Sequence, residues 1–368
     1  MTTWSVVNDD TREKRWQDRL PRMLPRYALL ACLALVVMGL GIALTPSPPP
    51  EPAEPPFSEQ ARADALTQAL RLRTAGSRLN AAAGKPAAER TVTLLTTQAQ
   101  ALLLPGESPL MTAPAESTAA DSAAPAAGPP SAAPSSAPLP ATAAELVTAL
   151  ADSGRRRLAD AALADGGMAR LLAAVGTGQL LQAADLAAGT GTAAPPMPEI
   201  AVPELAGACP SAPDAAGATA SAAPLDAALA AVVRAEEQTI YGYQVALPRL
   251  DGDAAVSATA GLARHDALLA GAETLTRQHC SNVPPREPGY TLGKSFLASP
   301  AAGLGNLEAA ALPAYGDLIA LGDGPTRQWA IAALLGSGHR AVLWGADPGA
   351  LPGLASEALA SLPPLPPG

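Results

Sequence analysis

Four side chains in the C-terminal part of the chain are the candidates for binding a metal ion: Glu236, His265, Asp266 and Glu308. A dinuclear iron site in a helical bundle takes one carboxylate from each of two helices and a Glu-x-x-His motif from each of two others. Both motifs are missing here, because Leu262 precedes His265 by three residues and Gly336 precedes His339 by three. We therefore expect no metal and no cofactor. A degenerate metal-binding or oxidase site is the alternative.

Glu236 is the carboxylate that most needs a partner. It lies on a stripe of apolar residues that recur three and four positions apart over residues 225–247, and this stripe is the face that a helix buries. An ionised carboxylate that is buried alone is costly, so we expect a hydrogen-bonding partner. The candidates on the neighbouring helices are Arg264, His265 and Tyr315, or else a bound ion. The pair of Glu236 and Arg264 is our first choice.

Other patterns that would indicate a reaction are missing from the sequence. It contains no Gly-x-Ser-x-Gly elbow, phosphate-binding loop or dinucleotide fingerprint. Its three histidines have no Ser or Cys beside them that would suit a hydrolytic triad. The net charge of −9 argues against binding to nucleic acid. We therefore expect no catalytic residues.

Two of the three cysteines, Cys209 and Cys280, lie far from the N-terminus, beyond the segment that predicts a membrane anchor below. Disulfides persist in oxidising compartments outside the cytoplasm. We therefore predict that these two cysteines are bridged, with two separate buried thiols as the alternative.

Four helices must position the side chains named above, and the sequence predicts them at residues 225–247, 254–279, 301–321 and 325–345. Apolar residues recur at helical spacing within each segment, and turns rich in Gly and Pro separate the segments. The connections are short, long and short, and the long one covers residues 281–299. This order is typical of a four-helix bundle with one crossover, as in ferritin-like folds. We therefore predict an all-α protein with such a bundle over residues 225–347.

Several segments of the predicted bundle resemble a known family. They are AEEQTIYGY from residue 235, ARHDALLAGAETL from residue 263, PREPGYTLGKSFLASP from residue 285 and AYGDLIAL from residue 314. On these segments the chain resembles a ferritin-like domain of unknown function from actinobacterial envelope proteins. The resemblance implies a four-helix bundle in an anchored, extracytoplasmic protein. It implies no activity, since none is established for the family.

An apolar segment near the N-terminus predicts a transmembrane helix. Residues 27–44 are eighteen uncharged residues, and a helix of that length spans about 27 Å, close to the thickness of the hydrocarbon core. Residues 1–26 carry six Lys and Arg residues against four Asp and Glu residues, which favours a cytoplasmic N-terminus and an extracytoplasmic remainder. We therefore expect a single-pass protein of the cell membrane. A cleaved signal peptide is the alternative interpretation.

The rest of the chain alternates between helical and low-complexity segments. The sequence predicts a Pro-rich spacer at residues 45–57, an Ala-rich helical region at 58–188 that a linker at 105–141 interrupts, and a second linker at 189–224. Aromatic residues make up only 3% of the chain, so we expect thin packing in the Ala-rich region. Whether this region joins the C-terminal bundle stays open. A tail rich in Pro and Gly, at residues 348–368, is expected to fray.

These observations together favour a non-catalytic binding or structural component of the cell envelope whose partner is unknown. A protein that handles metal ions through a degenerate ferritin-like site is the first alternative. A small-molecule binder that uses the interior of the bundle is the second.

Overall fold

The structure, a computed structural model, describes residues 24–43, 54–84, 86–104, 138–205, 209, 222–355 and 360–365. Every regular element in these ranges is a helix, as predicted. The α-helices are α1 (Leu24–Ala43), α2 (Phe57–Ala83), α3 (Pro86–Leu102), α4 (Ala143–Leu163), α5 (Gly166–Thr190), α6 (Ala222–Ala246), α7 (Gly252–Gln278), α8 (Lys294–Ala298), α9 (Pro300–Leu321) and α10 (Gly324–Leu343). The predicted linker at 105–141 and the N-terminal residues before Leu24 lie largely outside the described residues.

The chain divides into two units, residues 1–54 and residues 55–368. In the first unit α1 covers most of the predicted anchor, and its apolar side chains from Leu29 to Met38 are exposed by 59 to 70%. The predicted spacer at 45–57 falls mostly outside the described residues.

Among the described residues, one helix is long and apolar enough to cross a membrane, and it is α5. Because 72% of its apolar window is buried inside the protein, α5 is a core helix of the second unit. The apolar stretch of α1 over Tyr27–Met38 is shorter.

The helices α2 to α5 form the first bundle of the second unit. Its core consists of leucines and alanines, and Leu66, Leu95, Leu150 and Leu172 are completely buried. Small residues let α4 and α5 approach closely: a Cβ atom on Gly176 would lie 2.8 Å from the backbone oxygen of Gly154. The backbones of α4 and α5 are therefore packed together at this point with no side chain between them.

The helices α6, α7, α9 and α10 form the second bundle, at nearly the predicted positions. The long connection between α7 and α9 contains the short helix α8, whose Phe296 is buried. Pro325 stands in the first turn of α10, where a missing amide proton costs nothing.

The two bundles share one hydrophobic core, which settles the question left open by the sequence. Helix α5 lies between them and contacts both α9 and α10. Polar contacts cross the same boundary. Arg170 on α5 forms an ion pair with Asp317 at 2.6 Å, and Arg327 donates to the backbone oxygen of Ala164.

The expectation that the C-terminal tail frays is wrong for its first part. Leu351 is only 2% exposed. The backbone oxygen of Ala350 accepts a hydrogen bond from Gln98 at 2.9 Å, and that of Gly353 accepts one from Arg170 at 2.7 Å. A segment without regular structure thus packs because polar side chains of the first bundle satisfy its carbonyl groups.

Candidate functional site

A cluster of polar side chains lies inside the second bundle, and all four helices contribute to it. Helices α6 and α9 each supply a glutamate followed by a tyrosine seven residues later: Glu236 and Tyr243 on α6, and Glu308 and Tyr315 on α9. Seven residues make about two turns, so both members of each pair lie on the same inward face. All four side chains are completely buried.

The two glutamate–tyrosine pairs bond to each other reciprocally. The hydroxyl of Tyr243 donates to Oε1 of Glu308 at 2.7 Å, and the hydroxyl of Tyr315 donates to Oε1 of Glu236. Each carboxylate on one helix is therefore held by the tyrosine of the other helix. This arrangement fixes the register between α6 and α9.

His265 on α7 bridges the two carboxylates. Its Nδ1 lies 2.8 Å from Oε2 of Glu236, and its Nε2 lies 2.8 Å from Oε1 of Glu308. A neutral imidazole has a proton on only one nitrogen, whereas a carboxylate oxygen can only accept. The imidazolium form is therefore the one that satisfies both bonds.

Arg340, near the end of α10, completes the cluster. Its Nε donates to Oε1 of Glu308 at 2.7 Å, and its Nη2 donates to the hydroxyl of Ser337 at 2.8 Å. Trp344 follows the helix and donates from its indole nitrogen to the hydroxyl of Tyr243 at 2.9 Å. With both glutamates ionised, His265 and Arg340 balance the charge of the site.

The pKa values of the two buried carboxylates are shifted in opposite directions. Burial alone would raise the pKa of Glu308, but the hydrogen bond from His265 and the charge of Arg340 outweigh it and bring this pKa to about 2. Burial dominates at Glu236 and raises its pKa, although His265 opposes the shift. Burial also disfavours protonation of His265, yet its bonds to Glu236 and Glu308 raise its pKa overall.

This geometry supports an ion-pair network more than a metal centre. The two nitrogens of His265 point to opposite carboxylates, so they cannot both bind one ion, and each is already engaged. No group of three or more His, Cys, Asp or Glu side chains within the described ranges is arranged to hold a metal ion. Oε2 of Glu308 is the one carboxylate oxygen of the cluster without a hydrogen-bond partner.

Two of the residues named from the sequence do not belong to the cluster. The predicted pair of Glu236 and Arg264 is wrong, because Arg264 is exposed and Glu236 bonds to His265 and Tyr315. Asp266 is also exposed and lies beside a surface pocket. Consecutive residues of a helix point about 100° apart. Of Arg264, His265 and Asp266, only His265 therefore faces the interior.

Sequence reasoning missed Tyr243, Arg340 and Trp344 as members of the site. The repeated spacing of glutamate and tyrosine on α6 and α9 could have identified Tyr243. Arg340 gave no such signal, because an arginine in the last turn of a helix is ordinarily a solvated residue that favours the helix dipole.

The predicted disulfide between Cys209 and Cys280 is confirmed, with a distance of 5.0 Å between the two Cα atoms. It ties a residue of the second linker to the end of α7. Cys32 is a free, exposed cysteine in the other unit.

Fold and site together define an all-helical protein whose C-terminal bundle encloses a network of buried charges. The comparison with protein families finds a domain of unknown function (DUF4439) at residues 228–356. That range includes every member of the buried cluster. No curated protein and no solved structure matches the chain.

Proposed function

We propose that this is a single-pass membrane protein that presents a ferritin-like bundle outside the cytoplasm as a non-catalytic binding or structural component of the cell envelope. In this proposal the charged network takes the place of a metal centre. The network holds the four helices in register.

The single observation that carries the non-catalytic part is that the network is enclosed inside the bundle, out of reach of solvent. Glu236, His265 and Glu308 are completely buried, and the protein itself supplies their counter-charges. A reaction centre needs a group that substrate can reach, whereas these groups are buried and bind one another, and Oε2 of Glu308, which has no partner, is itself buried. Buried ion pairs of this kind contribute specificity of packing more than stability.

The ferritin-like part is supported by where the four helices place their polar residues. Glu236, His265 and Glu308 come from three helices and meet at one level of the bundle, and Arg340 of the fourth helix reaches Glu308. A di-iron bundle places its ligands in the same way, in its core and from facing helices. Here the fourth helix supplies Arg340 instead of a metal ligand. Its positive charge can stabilise the carboxylate of Glu308 as a metal ion would. The resemblance to actinobacterial envelope proteins favours the same assignment.

The anchored, extracytoplasmic part rests on the N-terminal unit and on the disulfide. The exposed apolar side chains of α1 suit a lipid environment, and the basic residues before it favour a cytoplasmic N-terminus. A bridge between Cys209 and Cys280 suits an oxidising compartment.

Metal loading of the full-length protein in non-ionic detergent tests the central claim. After anaerobic incubation with Fe(II), desalting and elemental analysis, we expect far less than one iron per chain, and the same for Glu236→Gln. Two irons per chain that disappear in Glu236→Gln would support the rival oxidase or metal handler and overturn the proposal.

Protease treatment of intact spheroplasts tests the topology. We expect loss of the C-terminal bundle with protection of residues 1–26, and protection of both parts would contradict the proposed topology.

A further inference from the structure

A second polar site lies on the outside of the same bundle. A pocket of about 480 Å³ opens between α6, α7 and the loop around residues 286–290. Four carboxylates line it, from Glu237, Asp266, Glu273 and Glu287, against one guanidinium, from Arg286. The lining carries a net charge of −3, and Arg277, which lies outside the lining, pairs with Glu273 at 3.5 Å. A net charge of −2 remains and attracts cations.

Glu237 is the unusual member of this lining, because it is only 7% exposed. Its Oε2 accepts a hydrogen bond from the hydroxyl of Tyr290 at 3.0 Å, but its Oε1 is buried without a hydrogen-bond partner. The nearest cation is Nε of Arg286, at 3.9 Å from Oε1, which is too far for a hydrogen bond. A buried carboxylate oxygen that lacks a donor indicates that a donor from outside can complete the site.

Two aromatic rings line the pocket beside this oxygen. The rings of Tyr241 and Tyr290 have centroids 5.8 Å apart and planes inclined by 56°. Such rings attract an organic cation through their electron-rich faces. A carboxylate next to two tyrosines is thus suited to an ammonium group that carries both charge and N–H donors.

Arg286 does not donate a hydrogen bond to Oε1 of Glu237. Its side chain is 73% exposed, and its one hydrogen bond to a carboxylate runs from Nη2 to Oε1 of Glu273 at the long distance of 3.3 Å. A ligand can therefore displace it at little cost, since long, exposed ion pairs are weak.

We propose that this pocket binds an aliphatic di- or polyamine. One primary ammonium group donates to Oε1 of Glu237 and packs against Tyr241 and Tyr290, and the second charge lies near the carboxylates of Glu273 and Glu287. A metal ion fits less well, because no three acidic side chains in the described part of the chain are grouped to coordinate one. A quaternary ammonium would lack the N–H donor that Glu237 requires.

Calorimetric titration of the full-length protein in non-ionic detergent, with spermidine as the probe, tests the proposal. Spermidine should saturate one site per chain, and 1,5-pentanediol, which lacks charge, should not bind. Tetramethylammonium and Mg²⁺ should bind at least tenfold more weakly than spermidine. Tighter binding of Mg²⁺ would point to a metal site and overturn the proposal.

Three variants distinguish specific binding at Glu237 from non-specific attraction of spermidine to an acidic surface. Glu237→Gln should weaken spermidine binding at least tenfold, since it removes the anchoring charge. Asp266→Asn removes one charge from the rim of the same pocket and should cost about threefold or less, and Glu204→Gln removes an exposed charge elsewhere and should change nothing. Equal losses in all three variants would overturn the proposal.

A further variant keeps the test decisive if Glu237→Gln does not fold. Tyr241→Leu removes one aromatic wall and leaves the carboxylates in place, so binding should weaken about threefold or more. Unchanged binding by a folded Tyr241→Leu protein would contradict the proposed site. None of these residues belongs to the buried network, so this outcome is independent of the proposed function.

Discussion

Nε2 of His265 lies 2.8 Å from Oε1 of Glu308, and the same oxygen also accepts hydrogen bonds from Tyr243 and Arg340. Three donors from three different helices thus converge on one atom of α9. Two of these donors carry positive charge when His265 is protonated. The carboxylate of Glu308 therefore links α9 to each of the other three helices of the bundle.

Replacement of His265 by leucine should destabilise the protein by about 3–5 kcal/mol, because it leaves two buried carboxylates without their bridging cation. The measurement is the free energy of unfolding from urea titration. His339→Leu is the matched control, since His339 is half-buried on α10 outside the cluster, and it should change stability by less than about 1 kcal/mol. Similar losses in both variants would show that the network has no special role.

The two glutamates should differ in their response to the same substitution. Lowering the pKa of Glu308 from 4.5 to about 2 corresponds to about 3 kcal/mol in favour of its charged form, so Glu308→Gln should cost about that much. Burial opposes the charge of Glu236 and raises its pKa, so Glu236→Gln should cost less than Glu308→Gln. The free energies of unfolding of the two variants check this order, and the reverse order would contradict our assignment of the charges.

The helices of the second bundle could be predicted from the sequence because local signals determine them. Apolar residues at helical spacing and breaks at Gly and Pro placed α10 at residues 325–345, and it is found at Gly324–Leu343. The packing of the first bundle against the second could not be predicted. Alanine-rich faces such as those of α5 carry little information about which neighbour they contact, since small side chains fit many partners.

The buried cluster could be predicted only in part, for a similar reason. Glu236 was recognisable because a charged residue interrupts an apolar stripe. The choice of His265 over Arg264 depends on a rotation of about 100° between neighbouring residues, which the spacing of apolar residues does not fix closely enough. Arg340 was hidden because its long side chain reaches inward from a position that is itself half-buried.

The contribution of His265 to the stability of the protein should fall as the pH rises above 6.5. The folded-state pKa of His265 lies above its usual value of 6.5 because its bonds to Glu236 and Glu308 outweigh the effect of burial. Its contribution is therefore fully present below pH 6.5 and is lost as the pH rises through the folded-state value.

Urea titrations of the wild-type protein and of His265→Leu between pH 6 and pH 10 measure this contribution. The difference in the free energy of unfolding between the two proteins should shrink with rising pH. The NMR shift of the imidazole Hε1 should report a pKa above 6.5. A difference that grows with pH would mean that His265 is buried in its neutral form.

A side chain at Gly261 on α7 should destabilise the protein, because a Cβ atom there would lie 2.5 Å from Cε1 of Tyr243. Tyr243 is completely buried and bonded to Glu308 and Trp344, so it cannot move freely. We expect Gly261→Ala to cost about 1–3 kcal/mol. Gly167→Ala is the control: a Cβ atom there meets nothing within 4 Å, and the change should be neutral or stabilising by about 0.5 kcal/mol. Thermal melting of both variants gives the comparison.

The disulfide between Cys209 and Cys280 should contribute roughly 4 kcal/mol, since it closes a loop between residues 71 positions apart in the sequence and so restricts the unfolded chain. Labelling of thiols in the denatured, unreduced protein should modify one cysteine, Cys32, and labelling after reduction should modify all three. Cys32→Ser should then show no reactive thiol before reduction and two after it. The double variant with Ser at positions 209 and 280 should unfold at a lower urea concentration than Cys32→Ser. Three reactive thiols in the unreduced wild-type protein would contradict the bridge.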